Sequence, residues 1–532
     1  MKQRMLVGAS GLLAASLFLS ACGAIGLKSP ADSSLTPSSD GQNTAEKAPL
    51  PELQKFYDQT ITWNSCVDNG LVMDITDGRV ETPNYTCAQL EVPLDYNKPA
   101  GETIKLQLVR YSSDGEVKIP LFYNPGGPGG SAISGLDDVA TGSFTIKLLK
   151  KYDLIAMDPR GVGASTPVKC LTPEEIDKQR SGEDIPEGVD EADFAQQQIA
   201  EYTKKCLDNS GELAKNIDTN SVVSDFDIAR AALRQEKLNY FGYSYGTVIG
   251  ALYTDTFRNR VDHIVLDSAV DTALTAEGIA EGQAEGFEKS MRHFLESSEL
   301  NNEEFPFRGP KQAEDFKAWI EAVDKTPIPT HDPNRPLTGS LLRSAVMGGM
   351  YSEDFYQFIS EGIVEAKLKN NGTVLLNISD LLNERRTNGT YKTNSFDAFQ
   401  VVNYLDYVPV GTEADWLKQA EELKAKYPLV GDQFAGSSAM LSASMIPSRD
   451  TRRTVKGAGA PPVLVIGNTY DPATPYKWSV SLADQLESAQ LITVESWDHG
   501  AYRRLASKCV TDAVDNYFLE NVLPAKDLRC EK

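Results

Sequence analysis

A serine flanked by glycines is the first group in this sequence that could do chemistry. Ser244 stands in Gly242-Tyr243-Ser244-Tyr245-Gly246, after the apolar run Leu238–Phe241 and before the helical run Thr247–Phe257. A sharp strand-to-helix turn of this G-x-S-x-G kind exposes a serine hydroxyl for attack on a carbonyl carbon. The motif predicts Ser244 as a nucleophile, and a glycine-rich turn without chemistry is the simpler alternative.

His499 is the histidine best placed to act as the base for such a serine. It stands in Trp497-Asp498-His499-Gly500, a loop that follows the last predicted strand. It also completes the chain order serine, acid, histidine that this kind of site uses. Of the other three histidines, His263 opens a predicted strand and is expected to be structural, whereas His293 and His331 are expected at the surface.

An aspartate is needed to hold the imidazole in one tautomer. Asp471 follows the predicted strand Val463–Ile466, in a turn stiffened by prolines at positions 472 and 475. Asp267 and Asp271 follow the preceding core strand and are rivals for this role. Asp498 adjoins His499 but is expected to point elsewhere, so Asp471 is the predicted acid.

A glycine run could supply backbone donors for the oxyanion that forms during attack. Gly126-Gly127-Pro128-Gly129-Gly130 follows the predicted strand Ile119–Tyr123. We expect one donor from Gly127, or from its neighbour Gly126, and the other from the N–H of Tyr245. The run lacks the Lys-Ser/Thr of a P-loop and the G-x-G-x-x-G order, so no nucleotide is expected.

The N-terminus has the pattern of an exported lipoprotein. Lys2 and Arg4 precede a short apolar run that ends at Leu19-Ser20-Ala21-Cys22, which resembles a bacterial lipobox. We expect cleavage before Cys22, lipidation of that cysteine and attachment to the extracytoplasmic face of the cell membrane. An ordinary cleaved signal peptide with an incidental cysteine is the alternative.

Six further cysteines are an even number, as expected of disulfides in an oxidising compartment. Pairing between sequence neighbours closes the shortest loops, and it predicts Cys66–Cys87, Cys170–Cys206 and Cys509–Cys530. The cysteines lack metal-site spacing, and we expect no metal or other cofactor. A net charge of -23 argues against nucleic-acid partners.

Seven short apolar runs are predicted as strands: Ile104–Arg110, Ile119–Tyr123, Tyr152–Met157, Leu238–Phe241, His263–Asp267, Val463–Ile466 and Leu491–Glu495. Helical stretches lie between them, and this alternation predicts a mainly parallel sheet of α/β type. Between residues 272 and 445 the sequence favours amphipathic helices, one of them Leu341–Ala366, which predicts a helical insertion that covers the site. The predicted segments are a signal peptide at 1–21, a lipid-anchored flexible tether at 22–55, core at 56–271, a helical cap at 272–445 and core at 446–532.

Taken together, these motifs resemble those of the tripeptidyl and prolyl aminopeptidase-like serine hydrolases of the α/β-hydrolase fold. The resemblance runs from about residue 60 to the end of the chain and includes Asp158-Pro159-Arg160-Gly161, a loop we expect to be structural, with Arg160 paired locally. The prolyl branch places a histidine before its glycines, whereas Asn124-Pro125 stands here, as in the secreted actinobacterial tripeptidyl branch.

The resemblance implies an enzyme that removes short peptides from free N-termini, with carboxylates of the cap binding the substrate amine. We expect such a carboxylate within Glu277–Glu288 or Glu353–Glu365. An esterase acting on acyl esters of the cell envelope is the alternative with the same chemistry. A non-catalytic, lipid-anchored binding protein is a more distant one.

Overall fold

The structure is a computed structural model that describes residues 47–67, 71, 84–182, 185, 186 and 188–532. The predicted signal peptide, Cys22 and most of the predicted tether lie outside these residues. The folded chain begins earlier than the boundary predicted at residue 55, because Ala48 and Leu53 are buried in the core. Two buried residues thus lie within the last part of the segment predicted as the tether.

A single mixed sheet forms the centre of the described part of the chain. Its strands are β1 (Asn64–Ser65), β2 (Tyr85–Pro93), β3 (Thr103–Tyr111), β4 (Ile119–Asn124), β5 (Tyr152–Met157), β6 (Leu238–Tyr243), β7 (Val261–Asp267), β8 (Val463–Asn468), β9 (Ala489–Glu495) and β10 (Leu528–Glu531). They lie in the order β1-β2-β3-β5-β4-β6-β7-β8-β9-β10. All pairs from β5 across to β10 are parallel, and those among β1, β2, β3 and β5 are antiparallel. This arrangement confirms the predicted α/β fold.

The central strands are buried on both faces, which explains their nearly continuous apolar sequences. In β6, Tyr240 packs into one apolar cluster and the next residue, Phe241, packs into the cluster on the opposite face. The seven strands predicted from the sequence are confirmed to within two residues at each end. Because β4, β6, β8 and β9 run in the same direction, their carboxyl ends lie along one edge of the sheet, and the predicted site residues follow these ends.

Helices cover the sheet and make up most of residues 272–445, called the cap segment below. The helices of seven or more residues in the described chain are Pro173–Ser181, Glu191–Ser210, Thr219–Ala232, Gly246–Thr256, Ala276–Asn301, Gln312–Lys325, Gly339–Gly349, Tyr356–Lys369, Thr373–Leu382, Ser395–Asp406, Glu413–Lys426, Ser437–Ala443, Tyr476–Gln485 and Lys508–Glu520. In the described part of the chain, none of the helices has both the length and the apolar character needed to span a bilayer.

The cap segment has an apolar cluster of its own, which includes Phe287, Trp319 and Leu375. The helix Ser395–Asp406 is different, because its Val401 and Leu405 pack into the cluster of the sheet. The cap segment is thus attached to the sheet through one of its own helices.

One helix predicted in this segment, Leu341–Ala366, is wrong, because the chain forms two helices separated by a turn at residues 350–355. Gly348 and Gly349 are poor helix formers and end the first helix. Ser352 then accepts the N–H of Asp354 and starts a new helical turn.

Candidate active site

The turn that carries Ser244 connects β6 to the helix Gly246–Thr256. Ser244 has a left-handed backbone with φ of +54°, a conformation that costs a residue other than glycine about 1 to 3 kcal/mol. Its N–H donates to the main-chain oxygen of Asp267 at 3.0 Å, which fixes the turn to the end of β7. The predicted strand, sharp turn and helix are therefore all present around the serine.

Asp471 and His499 come together although 28 residues separate them. Nδ1 of His499 lies 2.9 and 3.0 Å from the two carboxylate oxygens of Asp471. The carboxylate also accepts the N–H groups of Ala473 and Thr474, both at 2.9 Å, and the hydroxyl of Thr474 at 3.0 Å. These bonds hold the carboxylate against the imidazole and leave Nε2 of His499 as the nitrogen available for a proton.

The three rival carboxylates are used elsewhere. Asp267 accepts the N–H groups of Ala501 and Tyr502, at 3.0 and 2.7 Å, and burial raises the pKa of its carboxyl to about 6. Asp271 accepts from the side chains of Ser481 and Gln485. Asp498 accepts from the cap segment, as described below. Asp471 is thus the carboxylate placed to orient His499.

The glycine run passes directly beside Ser244. A Cβ atom added to Gly126 would lie 2.9 Å from Cβ of Ser244 and 3.0 Å from the backbone nitrogen of Tyr245. The N–H of Gly126 already donates to the side chain of Asn124 at 3.0 Å. The N–H of Gly126 is therefore already engaged, and the oxyanion donors at Gly127 and Tyr245 stay a prediction.

The cap segment contacts His499 directly. The N–H of His499 donates to the main-chain oxygen of Tyr351 at 2.8 Å, and the ring of Tyr351 meets the imidazole edge to face at 5.1 Å. No sequence pattern signalled Tyr351, since this contact joins residues far apart in the chain. Thr474 could have been found, because an aspartate that accepts the N–H groups two and three residues later is a common local motif.

Other predicted residues have the following places. The three disulfides form as predicted, between Cys66 and Cys87, Cys170 and Cys206, and Cys509 and Cys530.

Arg160 is buried and pairs with Asp225, which is 65 residues away and so is not a local partner. His293 is partly exposed, and its ring stacks on Trp497 at 4.0 Å while Nε2 lies 3.0 Å from Glu353. The residues that the structure describes contain no group of three or more His, Cys, Asp or Glu placed to hold a metal ion.

Comparison with known proteins assigns the class of this chain. Residues 427–530 match the family described as TAP-like protein. The chain is similar to the serine protease Hip1 of Mycobacterium tuberculosis, with 28% identity over 89% of this chain and 91% of that protein. It is similar to carboxylesterase B of the same organism, with 31% identity over 88% of this chain and 89% of that protein. It is also similar to the tripeptidyl aminopeptidase of Streptomyces lividans, with 29% identity over 88% and 86%.

The fold and these relatives together define a serine hydrolase with the α/β-hydrolase fold. The chain belongs to the family of tripeptidyl-aminopeptidase-like hydrolases that contains these mycobacterial and Streptomyces enzymes. Because these relatives are named as enzymes, the alternative of a non-catalytic binding protein is dropped.

Proposed function

We propose that this protein is an exopeptidase that releases short peptides from free N-termini, with Ser244 as nucleophile, His499 as base and Asp471 as orienting acid. The observation that carries the proposal is the contact between Nδ1 of His499 and the carboxylate of Asp471, at 2.9 and 3.0 Å. Asp267 connects this pair to the turn of Ser244, because it accepts the N–H of Ser244 and, through its carboxylate, the N–H groups of Ala501 and Tyr502. A histidine paired with its orienting carboxylate, together with a serine on a sharp strand-to-helix turn, supports acyl transfer to that serine.

In the proposed reaction, Nε2 of His499 takes the proton of the Ser244 hydroxyl as its oxygen bonds to the substrate carbonyl carbon. The oxyanion that forms accepts the N–H groups of Gly127 and Tyr245. Collapse breaks the bond to the amine, which leaves with the proton held by His499. Water then attacks the acyl-enzyme, again with His499 as base, and releases the short peptide with a free carboxyl group.

A carboxylate of the cap segment is available for the substrate amine. Glu277 lies in the first turn of the helix Ala276–Asn301, and both of its carboxylate oxygens are buried. Within the described chain, neither oxygen has a hydrogen-bond partner. A buried carboxylate without a partner is costly, and a cation from the substrate would remove that cost.

The same helix lies against the loop of the proposed acid. A Cβ atom added to Gly286 would be 3.1 Å from the main-chain oxygen of Asp471, and Gln283 donates to the main-chain oxygen of Ala473 at 3.2 Å. Glu277 lies six residues before Gln283, or about 9 Å along the helix axis. We propose that Glu277, within the stretch expected from the sequence, binds the free amine.

The test of this assignment compares Glu277→Gln with Glu281→Gln on peptides with free and acetylated N-termini. Glu281 is a matched control, because it lies one turn later on the same helix and forms an exposed ion pair with Lys426. We expect Glu277→Gln to raise KM about 10-fold to 100-fold for free peptides, as a charged hydrogen bond of about 1.5 to 3 kcal/mol is lost, and Glu281→Gln to change little. Equal turnover of free and acetylated peptides by the wild-type enzyme would reject the exopeptidase proposal.

An esterase is the second candidate, favoured by the 31% identity to carboxylesterase B. The same residues would act on an ester, with an alcohol as the leaving group. Parallel assays with peptide amides and acyl esters separate the two candidates. Faster turnover of esters, unaffected by Glu277→Gln, would favour the esterase.

We further propose that Cys22 carries a lipid and holds the enzyme at the extracytoplasmic face of the membrane. The proposal rests on the sequence Leu19-Ser20-Ala21-Cys22 after a short apolar run. Fractionation of cells that express the wild type or Cys22→Ala tests it. We expect the wild type with the membranes, and the variant either in the medium or, if it stays with the membranes, as the larger uncleaved chain. An equal distribution of processed chains of the same size would reject the anchor.

A further inference from the structure

Within the turn at residues 350–355 of the cap segment, the stretch of residues 351–353, called the cap turn below, is hydrogen-bonded to the loop that carries His499. Tyr351 accepts the N–H of His499 at 2.8 Å through its main-chain oxygen. In the opposite direction, Oδ1 of Asp498 accepts the hydroxyl of Ser352 at 3.2 Å and the N–H of Glu353 at 3.0 Å. Two adjacent residues of the loop, Asp498 and His499, are therefore attached to the same three-residue stretch of the cap segment.

The other contacts of Asp498 fix it to the sheet. Its N–H donates to the hydroxyl of Ser496 at 3.0 Å, and its main-chain oxygen accepts the side chain of Asn468 at 2.7 Å. Its second carboxylate oxygen lies 2.8 Å from Nζ of Lys532 and 3.8 Å from Arg503. Asp498 is buried, with its main chain bonded to the sheet side and its carboxylate bonded to the cap segment.

The residue before Asp498 makes a second connection between the cap segment and the site. The ring of Trp497 stacks on His293 of the cap segment at 4.0 Å and on Tyr470 at 4.3 Å, with interplanar angles of 7° and 14°. Tyr470 immediately precedes Asp471, the proposed acid. Trp497 thus lies between the cap segment and the loop of Asp471, which the cap segment also contacts through the hydrogen bond from Gln283 to Ala473.

We propose that Asp498 is a positioning residue, which aligns His499 with Ser244 by fixing its loop to the cap turn at Ser352 and Glu353. This inference rests on the proposed function, in which His499 is the base. An error of about 1 Å in the position of a reacting group can cost a factor of about 100 in rate. Asp498 can therefore affect the rate through the position of His499, without itself contacting the substrate.

The experiment compares Asp498→Ala and Asp498→Asn by the rate at which a fluorophosphonate labels Ser244. In this reaction the serine oxygen bonds to phosphorus, fluoride leaves and His499 takes the serine proton. The asparagine variant keeps an oxygen that can accept from Ser352 and Glu353, whereas the alanine variant does not. We expect Asp498→Ala to label about 10-fold to 100-fold more slowly than the wild type. Asp498→Asn should label within about threefold of the wild-type rate. On substrate, Asp498→Ala should lower kcat by a larger factor than it raises KM.

Lys532→Gln serves as the control, because it removes the ion pairs of Lys532 with Asp498 and with Glu353 and keeps both hydrogen bonds from the cap turn to Asp498. It should label at nearly the wild-type rate. The proposal is overturned if Asp498→Ala labels as fast as wild type, or if Asp498→Asn is as slow as alanine. If Asp498→Ala does not fold, Ser352→Ala is the second test, because it removes the hydrogen bond from the Ser352 hydroxyl to Asp498. Slower labelling of this variant supports the proposal, and an unchanged rate overturns it.

Failure of this inference is distinguishable from failure of the proposed function. If the wild type does not label, or if Ser244→Ala still labels, the nucleophile itself is wrong. If the wild type labels at Ser244 and all Asp498 variants label equally, the nucleophile stands and only the positioning role of Asp498 is rejected.

Discussion

Two buried aspartates near the ends of neighbouring strands differ in what they bind. Asp471 faces the imidazole of His499, whereas Asp267 accepts two main-chain N–H groups from the residues Ala501 and Tyr502 that follow that histidine. The sequence left both as possible acids, because each follows a core strand. The difference arises from how the loop after β9 folds back over β7, which a local pattern does not reveal.

Exchange of each aspartate for asparagine separates these two roles. Asp471→Asn should lower kcat by about 10² to 10⁴, because the imidazole loses the carboxylate that selects its tautomer. Asp267→Asn should mainly lower the melting temperature, because an amide cannot replace both oxygens that accept the main-chain N–H groups. Steady-state kinetics and thermal unfolding of both variants check this, and the opposite ranking in kcat would move the acid to Asp267.

The glycine beside the serine gives a second test at the scale of a residue. Gly126→Ala would place a Cβ atom 2.6 Å from the main-chain oxygen of Tyr243 and 2.9 Å from Cβ of Ser244. Gly115 is a suitable control, since it also has a positive φ, +79°, but has open space around it. Both alanine variants carry backbone strain of about 1 to 2 kcal/mol, and only Gly126→Ala should lose fluorophosphonate labelling. Similar loss in both would show that strain alone is responsible.

At the scale of elements, the sequence predicted buried strands well and alternating ones poorly. The strand Tyr152–Met157 was predicted with the observed limits, because all six of its residues are buried and most are apolar. The strand Tyr85–Pro93 was missed, since Thr86, Gln89 and Glu91 interrupt its apolar residues at the outer part of the sheet. The turn that carries Tyr351 was hidden in the predicted helix Leu341–Ala366, because apolar periodicity continues across it.

Two disulfides attach outer elements of the sheet and allow a matched stability measurement. Cys66–Cys87 joins the turn after β1 to β2, and Cys509–Cys530 joins the helix Lys508–Glu520 to β10. Each bridge spans 21 residues. Closing equal loops in the unfolded chain should stabilise the fold equally, by about 3 kcal/mol each. Replacing either pair by serines should therefore lower the melting temperature to a similar extent. An unchanged melting temperature for one pair would mean that its bridge adds nothing to stability.

For the whole molecule, the parallel sheet explains why residues from four separate segments could be predicted to share a site. Parallel strands place their carboxyl ends at one edge, so the residues after β4, β6, β8 and β9 meet there. The contacts of the cap segment with Trp497, Asp498 and His499 could not be predicted in this way. They depend on how a long insertion packs back onto the sheet, and no short pattern in the sequence carries that information.

Buried carboxyl groups spread over the molecule affect stability as a function of pH. Burial raises the pKa of Asp158, Asp267 and Asp397 to about 6 each. An unfolded aspartate has a pKa of about 3.9, so the folded state binds protons more tightly. Glu285 shows the opposite effect, because hydrogen bonds from Lys289 and Lys477 lower its pKa to about 2.

These pKa shifts determine whether the stability of the fold rises or falls with pH. The contribution of the three aspartates is fully present below about pH 4 and is lost as the pH rises through about 6, because the folded state then has to carry buried charges. The contribution of Glu285 is present above about pH 4.3 and is lost as the pH falls toward 2. We therefore expect the melting temperature to be highest near pH 4 to 5 and to decrease toward pH 7. Asp397→Asn removes one of the three groups and should make this decrease shallower, whereas a melting temperature that rises steadily from pH 5 to 7 would contradict the assignment.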